Sequence, residues 1–169
     1  MVPVRVRPAE ARDLDAVASV YNEGIRERSA TFETQERTSD DIRSWLAGPH
    51  PFLVAVRDGD DAVVVGWAHA SAYRSRACYA GIGDFSVYVA ALARGQGVGD
   101  ALMRAFVPVC GAAGLWKLVS RVFPENTASR ALCARHGFRE VGTYERHAKL
   151  DGAWRDVVIV ERLLPENLT

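Results

Sequence analysis

A chain of 169 residues with 49% hydrophobic and 25% charged side chains has the composition of one globular domain with a full core. Its 21 basic and 21 acidic residues cancel to a formal net charge of +0, which argues against a nucleic-acid binder held by bulk charge. No apolar run approaches the roughly 20 residues of a membrane helix, and residues 1–10 lack the apolar core of a signal peptide. Cys78, Cys110 and Cys133 are too widely spaced for a disulfide framework or a zinc motif. The expectation is a reduced, cytoplasmic protein with no membrane partner and no metal.

In chain order, "VRVRP" at residues 4–8 alternates like a strand. Leu14, Val17, Ala18, Tyr21 and Ile25 recur at helical spacing, with Asp13 placed as N-cap. "TSDDIRSWL" predicts a short second helix that stops before Gly48 and Pro49. "FLVAV" and "AVVVGWAHASAY" flank Asp58 to Asp61, a hairpin turn. "YAGIGDFSVYV" predicts a long strand. Val98, Ala101, Leu102, Ala105, Phe106 and Val109 then mark one helix face, with Pro108 expected to kink or fray its end. "KLVSRVF" is a strand, and residues 126–136 are a helix stopped by Gly137. The last two strands flank the hairpin signal Asp151–Gly152. The expected architecture is one α/β domain over residues 1–169, with a mixed sheet.

"ARGQGVGDAL", residues 93–102, crowds three glycines into a strand-to-helix junction. A P-loop would need a lysine that is absent, and the dinucleotide fingerprint has a different glycine spacing. Gly95, Gly97 and Gly99 could instead aim successive N–H groups at an anion at a helix start, with Arg94 beside them. A glycine-eased turn without a ligand is the plainer alternative. Other candidate residues also have plain readings. Asp84, two residues before Ser86 on one strand face, reads by pattern as a solvated or hydrogen-bonded carboxylate. Cys133 reads as a small buried filler, Asn126 and Ser129 as a helix cap, and Arg74 and Arg76 as solvated arginines.

"RGQGVG" (Arg94, Gly95, Gln96, Gly97, Val98, Gly99) resembles the pyrophosphate-binding motif Q/R-x-x-G-x-G/A of the GNAT superfamily of N-acetyltransferases. "SVYV" falls where that family's acyl-CoA strand lies, and "NTASRALCARHGF" is similar to its N-x-x-S-x-x-L…GF signature. The resemblance narrows to the phosphinothricin and arsinothricin acetyltransferase branch. It rests there on Tyr21–Asn22, Ile25 and Thr31–Phe32–Glu33; on Arg74, Arg76 and Tyr79; and on Lys149, Gly152, Trp154, Asp156 and Val157.

The resemblance implies a mostly antiparallel, twisted sheet flanked by about four helices, acetyl-CoA as co-substrate, and a homodimer. It implies acetylation of the α-amino group of a small glutamate-like amino acid such as phosphinothricin, arsinothricin or methionine sulfoximine, with detoxification as the result. Protein N-termini, another amine metabolite, or CoA binding without turnover are the alternatives. Gly97 and Gly99 would admit the pyrophosphate where a Cβ would block it. Val87, Tyr88 and Val89 would line the pantetheine arm, and a strand bulge would aim the Val89 N–H at the thioester carbonyl. Asn126 and Ser129 would hold the CoA arm. Asp84 stands where the branch has glutamate. One methylene shorter, it would act as base through a water. Cys133 stands where relatives carry a tyrosine or histidine acid, and Tyr88, water or the substrate ammonium could protonate the thiolate instead. Arg74, Arg76 and Tyr79 would grip the substrate's acidic ends, and Phe32, Glu33 and Ser86 would complete its pocket.

Overall fold

The computed structural model describes residues 3–169. The alternating stretch is β1 (Val4–Pro8), and the first helical pattern is α1 (Leu14–Glu27), which buries Leu14, Val17, Ala18 and Ile25 on one face. Asp13 does not cap α1 with its side chain. Buried to 3% exposure, it accepts from Arg7 Nη1 and Nη2 at 2.8 and 2.9 Å and from the Glu10 N–H at 2.8 Å. Burial works against its charged form, but these bonds outweigh burial and hold its carboxyl below the usual range. The expected second helix is two short turns, α2 (Ser39–Ile42) and α3 (Ser44–Ala47). Thr38 opens α2 with a capping box closed by Asp41.

The hairpin at Gly59 joins β2 (Phe52–Arg57) to β3 (Asp60–Ala72), and β4 (Ile82–Val89) follows. Tyr79 and Ala80, expected in that strand, belong to a 3-10 turn (Ala77–Tyr79) and its cap. The glycine junction leads into α4 (Val98–Ala112), which runs past Pro108 by four residues, so the proline costs a hydrogen bond without ending the helix. Then come β5 (Lys117–Val122), α5 (Thr127–Arg135), β6 (Arg139–Leu150) and β7 (Ala153–Leu163).

The seven strands form one sheet in the order β1-β2-β3-β4-β5-β7-β6. All neighbours are antiparallel except β4 and β5, which run parallel over three positions, from Ile82↔Lys117 to Asp84↔Val119. Alternation along β2 shows why both faces are covered. Leu53 and Ala55 join a core with Leu102 and Phe106 of α4, while Val54 and Val56 join Leu14 and Val17 of α1 around Trp67. Among the described residues no helix is long and apolar enough to cross a membrane.

Candidate active site

The site begins where the sheet comes apart. Tyr73 N–H donates to Ile82 O, and Ala90 N–H donates to Val65 O at 2.9 Å. In an antiparallel ladder this alternation gives the even residues of β4 to β3 and turns the backbone of Phe85, Val87 and Val89 toward β5. The β5 pairing stops at Asp84, and Ser120 Oγ reaches across to Phe85 O at 2.8 Å. Beyond that bridge the strands diverge, so Val87 and Val89 present backbone groups to an opening. The expected bulge is not there: the β3–β4 register runs unbroken from Ala72↔Gly83 to Gly66↔Val89. Ordinary alternation points the Val89 N–H into the opening.

Beside this backbone lies a groove of about 480 Å³, bordered by the end of α1, the glycine loop, the start of α4 and the face of α5. Gly95 and Gly97 have φ of +70° and +86°, a left-handed backbone that side chains with a Cβ resist. Gly97 is the N-cap of α4 and no side chain caps that end. The first N–H groups of α4 therefore have the groove loop as their surroundings, a setting suited to an anion. Gly99 has a different reason. A Cβ there would lie 3.1 Å from Leu132 Cδ2 of α5, so this glycine lets α4 and α5 approach, and the space next to it belongs to a side chain rather than to a phosphate.

Arg94 is occupied. Its Nη1 lies 2.9 and 2.8 Å from the two carboxylate oxygens of Glu27, and its Nε donates to Val89 O at 3.1 Å. Glu23 accepts from the Ala91 N–H at 2.6 Å, and Gln96 Nε2 donates to Leu92 O at 2.7 Å. These contacts brace the loop against α1 and against itself. Asn126 Oδ1 accepts from the Ser129 N–H at 3.1 Å as a helix cap, and both residues border the groove. Val98 is buried beneath the loop in the α4 core, 1% exposed.

Asp84, Ser86 and Tyr88 share the opposite parity and so the face of β4 toward α1. Arg121, on β5 two residues beyond Val119, shares that face, and its Nη1 donates to Asp84 Oδ2 at 2.7 Å. Arg121, Ser86, Val87 and Cys133 border a second, smaller cavity of about 70 Å³ at the splay. Burial pushes the Cys133 thiol up to about 11, with the Glu140 carboxylate adding to the effect, so at neutral pH it is a protonated, weak donor. The Tyr88 ring stacks on Trp67 at 4.9 Å and meets Tyr21 edge-on at 5.0 Å. A Cβ on Gly24 would sit 2.6 Å from Tyr88 Cε1, so α1 rests directly on the phenol. Burial raises the Tyr88 hydroxyl well above its ordinary range, the nearby Tyr21 adds to this, and the Thr31 hydroxyl acts against it.

Past α1, Arg28 turns left-handed (φ 57°), and its Nε donates to Asp151 Oδ2 at 2.8 Å in the β6–β7 hairpin. Phe32 then packs edge-on against Phe123 at 5.0 Å, and Arg155 lies 4.4 Å over that ring. Glu33 pairs with Arg37 at 2.7 Å. Arg74 and Arg76 stand exposed on the β3–β4 loop and border neither cavity. Arg74 lies 5.1 Å from the Tyr73 ring centre, and Tyr79 meets the same ring edge-on. Sequence reasoning missed Arg121 and Glu27, and gave Thr31 and Leu132 no role beyond the motifs that contain them. For Arg121 a signal existed: Val119, Arg121 and Phe123 alternate on one strand face.

Comparison with known proteins sets this geometry in a family. The Acetyltransferase (GNAT) family model matches residues 17–138. A phosphinothricin N-acetyltransferase of Streptomyces coelicolor is 36% identical over 166 residues, covering 95% of this chain and 96% of that protein. An L-methionine sulfoximine/L-methionine sulfone acetyltransferase of Pseudomonas aeruginosa is 26% identical over 92% of each chain. The crystal structure of a GNAT superfamily phosphinothricin acetyltransferase from Sinorhizobium meliloti, in complex with AcCoA, superposes with a TM-score of 0.87 at 28% identity, covering 95% of this chain and 88% of that one. With the splayed sheet, the glycine loop and the matched residues in agreement, this chain belongs to the GNAT family of acetyltransferases.

Proposed function

We propose that this chain acetylates the α-amino group of a small, glutamate-like amino acid with acetyl-CoA. The observation that carries the reading lies on β4: one strand offers the opening its Val87 and Val89 backbone and offers its other face the carboxylate of Asp84. The groove fits the co-substrate. It has a left-handed glycine cradle at an uncapped helix start, and its volume is that of a small-molecule site. Acetyl-CoA supplies an acyl group on a thiolate leaving group.

The α4 N-terminus and the Gly95–Gly97 turn receive the pyrophosphate. Val87, Tyr88 and Val89 line the arm, with Asn126 and Ser129 opposite. The Val89 N–H is the fixed donor for charge developing on a carbonyl oxygen in the opening, and a preorganised donor of this kind stabilises a transition state without reorganising. Asp84 takes the ammonium proton through one water. The Tyr88 phenol and the Cys133 thiol, both kept protonated by burial, border the small cavity and are the side-chain donors proposed for the leaving thiolate. Thr31, Phe32, Glu33 and Ser86 form the acceptor side. Arg74, Arg76 and Tyr79 on the β3–β4 loop receive the acidic head of the amino acid, as guanidinium forks suit oxyanions. Such an acceptor makes the outcome detoxification. Val141, Tyr144 and Trp154, exposed at 46%, 53% and 55% on the β6–β7 hairpin, support the homodimer, which light scattering would read.

The test is thiol release on an acceptor panel: phosphinothricin, methionine sulfoximine, methionine sulfone, glutamate, a peptide and a polyamine. Turnover concentrated on the first three is expected. Turnover on the peptide or polyamine alone, or none at all with CoA still bound, overturns the reading.

A further inference from the structure

Two of the arginine–aspartate pairs differ in character. Arg7 and Asp13 meet through two guanidinium nitrogens, and Asp13 is 3% exposed and also holds the Glu10 N–H. That pair is part of the fold. Arg121 and Asp84 meet through a single contact, with side chains 43% and 22% exposed. Exposed single-contact ion pairs contribute little to stability. Among the described residues, Nη1 makes the only hydrogen bond of the Arg121 guanidinium, so its remaining N–H donors are available. Arg121 borders the small cavity together with Ser86 and Val87, and Asp84 precedes Ser86 by two residues on the same strand face.

The charges fit an amino acid as they lie. A zwitterionic α-amino acid carries its ammonium and carboxylate a few ångströms apart, and the protein sets a carboxylate and a guanidinium 2.7 Å apart on one sheet face. Each protein charge meets its complement, and each is exposed enough to exchange partners. Asp84 alone would repel an acidic substrate, and Arg121 removes that obstacle. We propose that Arg121 binds the α-carboxylate of the acceptor by leaving Asp84, so that one event both recognises an amino acid and frees the carboxylate that accepts its proton. This rests on the amino-acid acceptor proposed above, and it adds an α-carboxylate contact distinct from the headgroup contacts of Arg74 and Arg76.

The test compares methionine sulfone with its α-carboxamide, which keeps the amine and the headgroup and removes the anion. In the unaltered enzyme the acid should be much the better acceptor. Arg121→Gln should lower kcat/KM for the acid by about ten- to two-hundred-fold while changing the amide less than about three-fold. Arg121→Lys should recover only part of the loss, because an ammonium cannot fork a carboxylate. CoA affinity by calorimetry and the melting temperature should both stay unchanged, which separates anchoring from damage. Equal losses on acid and amide overturn the anchor and leave the acceptor reading standing. An unaltered enzyme that turns over no amino acid overturns that reading and the anchor with it.

Discussion

The two sides of the opening between β4 and β5 are made of different materials. The groove side is backbone: the odd residues of β4 freed by the splay, two left-handed glycines, and the uncapped start of α4. Its side chains mostly brace, as Glu27 does for Arg94 and Leu132 for Gly99. The proposed acceptor side is side chains drawn from separate elements: Asp84 from β4, Arg121 from β5, and Phe32 from the segment after α1, set edge-on against Phe123. A backbone cradle suits a co-substrate that never varies, because every substitution except proline leaves the N–H in place. A side-chain pocket suits an acceptor that differs between relatives, since one residue can change without disturbing the sheet.

The contrast predicts which substitutions harm chemistry and which harm binding. The largest effect belongs to Asp84. Asp84→Asn keeps the size and removes the proton acceptor, so turnover should fall by about 10²–10⁴-fold with CoA affinity intact. The lost rate should return in part as pH rises and supplies free amine. Normal turnover at neutral pH would take the acceptor side out of the proton transfer.

Acid should strike the same face through its stability. His69, opposite Ser86, stacks on Trp45 at 4.5 Å with an interplanar angle of 8°. Burial, with a smaller push from His50, lowers it to about 4 from 6.5. A folded value below the unfolded one means that the unfolded chain binds the proton first. The stability is fully present above about pH 6.5, falls as pH drops from there toward 4, and is then exhausted, a loss of about 3 kcal/mol. Denaturant midpoints across that window should flatten in His69→Phe. A His69→Phe curve as steep as that of the unaltered protein would place the acid sensitivity elsewhere.

The same division explains what the sequence disclosed. The glycine run, the strand before it and the cap at Asn126 are each local, so spacing along the chain carries them, and element order could be read throughout. Asp84 was found by resemblance, since its pattern alone describes an ordinary strand carboxylate. The alternation around Arg121 was legible but its role was not, because that role depends on the parallel register Asp84↔Val119, and no residue in either strand announces which partner it takes. Asp13 misled for a related reason. An aspartate before a helix signals a cap, but the Arg7 guanidinium across β1 claims it. Gly99 was read with the phosphate motif, although its neighbour Leu132 lies thirty-three residues on.

On the groove side, Gly97→Val should cost about 1–2 kcal/mol at φ +86°, and if the strain falls on the bound conformation CoA affinity drops about five- to thirty-fold. Gly99→Ala should instead press on Leu132 and lower the melting temperature while sparing CoA affinity. The reverse pattern, with Gly99→Ala weakening CoA and leaving stability alone, would return Gly99 to the phosphate site.

The smallest effect concerns Arg94, where the motif and the structure suggest different roles. The motif makes it a pyrophosphate ligand. In the structure its guanidinium is held by both Glu27 oxygens and by Val89 O, with side chains 43% and 38% exposed for the pair. The two roles predict opposite signs for one substitution. If Arg94 contacts the pyrophosphate, Glu27 competes for it, and Glu27→Gln should tighten CoA. If Arg94 braces the loop, Glu27→Gln releases the brace and should loosen CoA, and Arg94→Gln should do the same by a similar factor. An exposed pair contributes about 0.2–1 kcal/mol, so each loss should be less than about five-fold. We expect loosening in both, with the double variant no worse than either single one, because a brace is broken only once. The effect should shrink in high salt, as screening weakens the pair before any substitution is made. Calorimetric titration of CoA into the two single variants and the double variant decides the sign. Tighter binding in Glu27→Gln would move Arg94 from the brace to the ligand and add one charged side chain to a groove otherwise built from backbone.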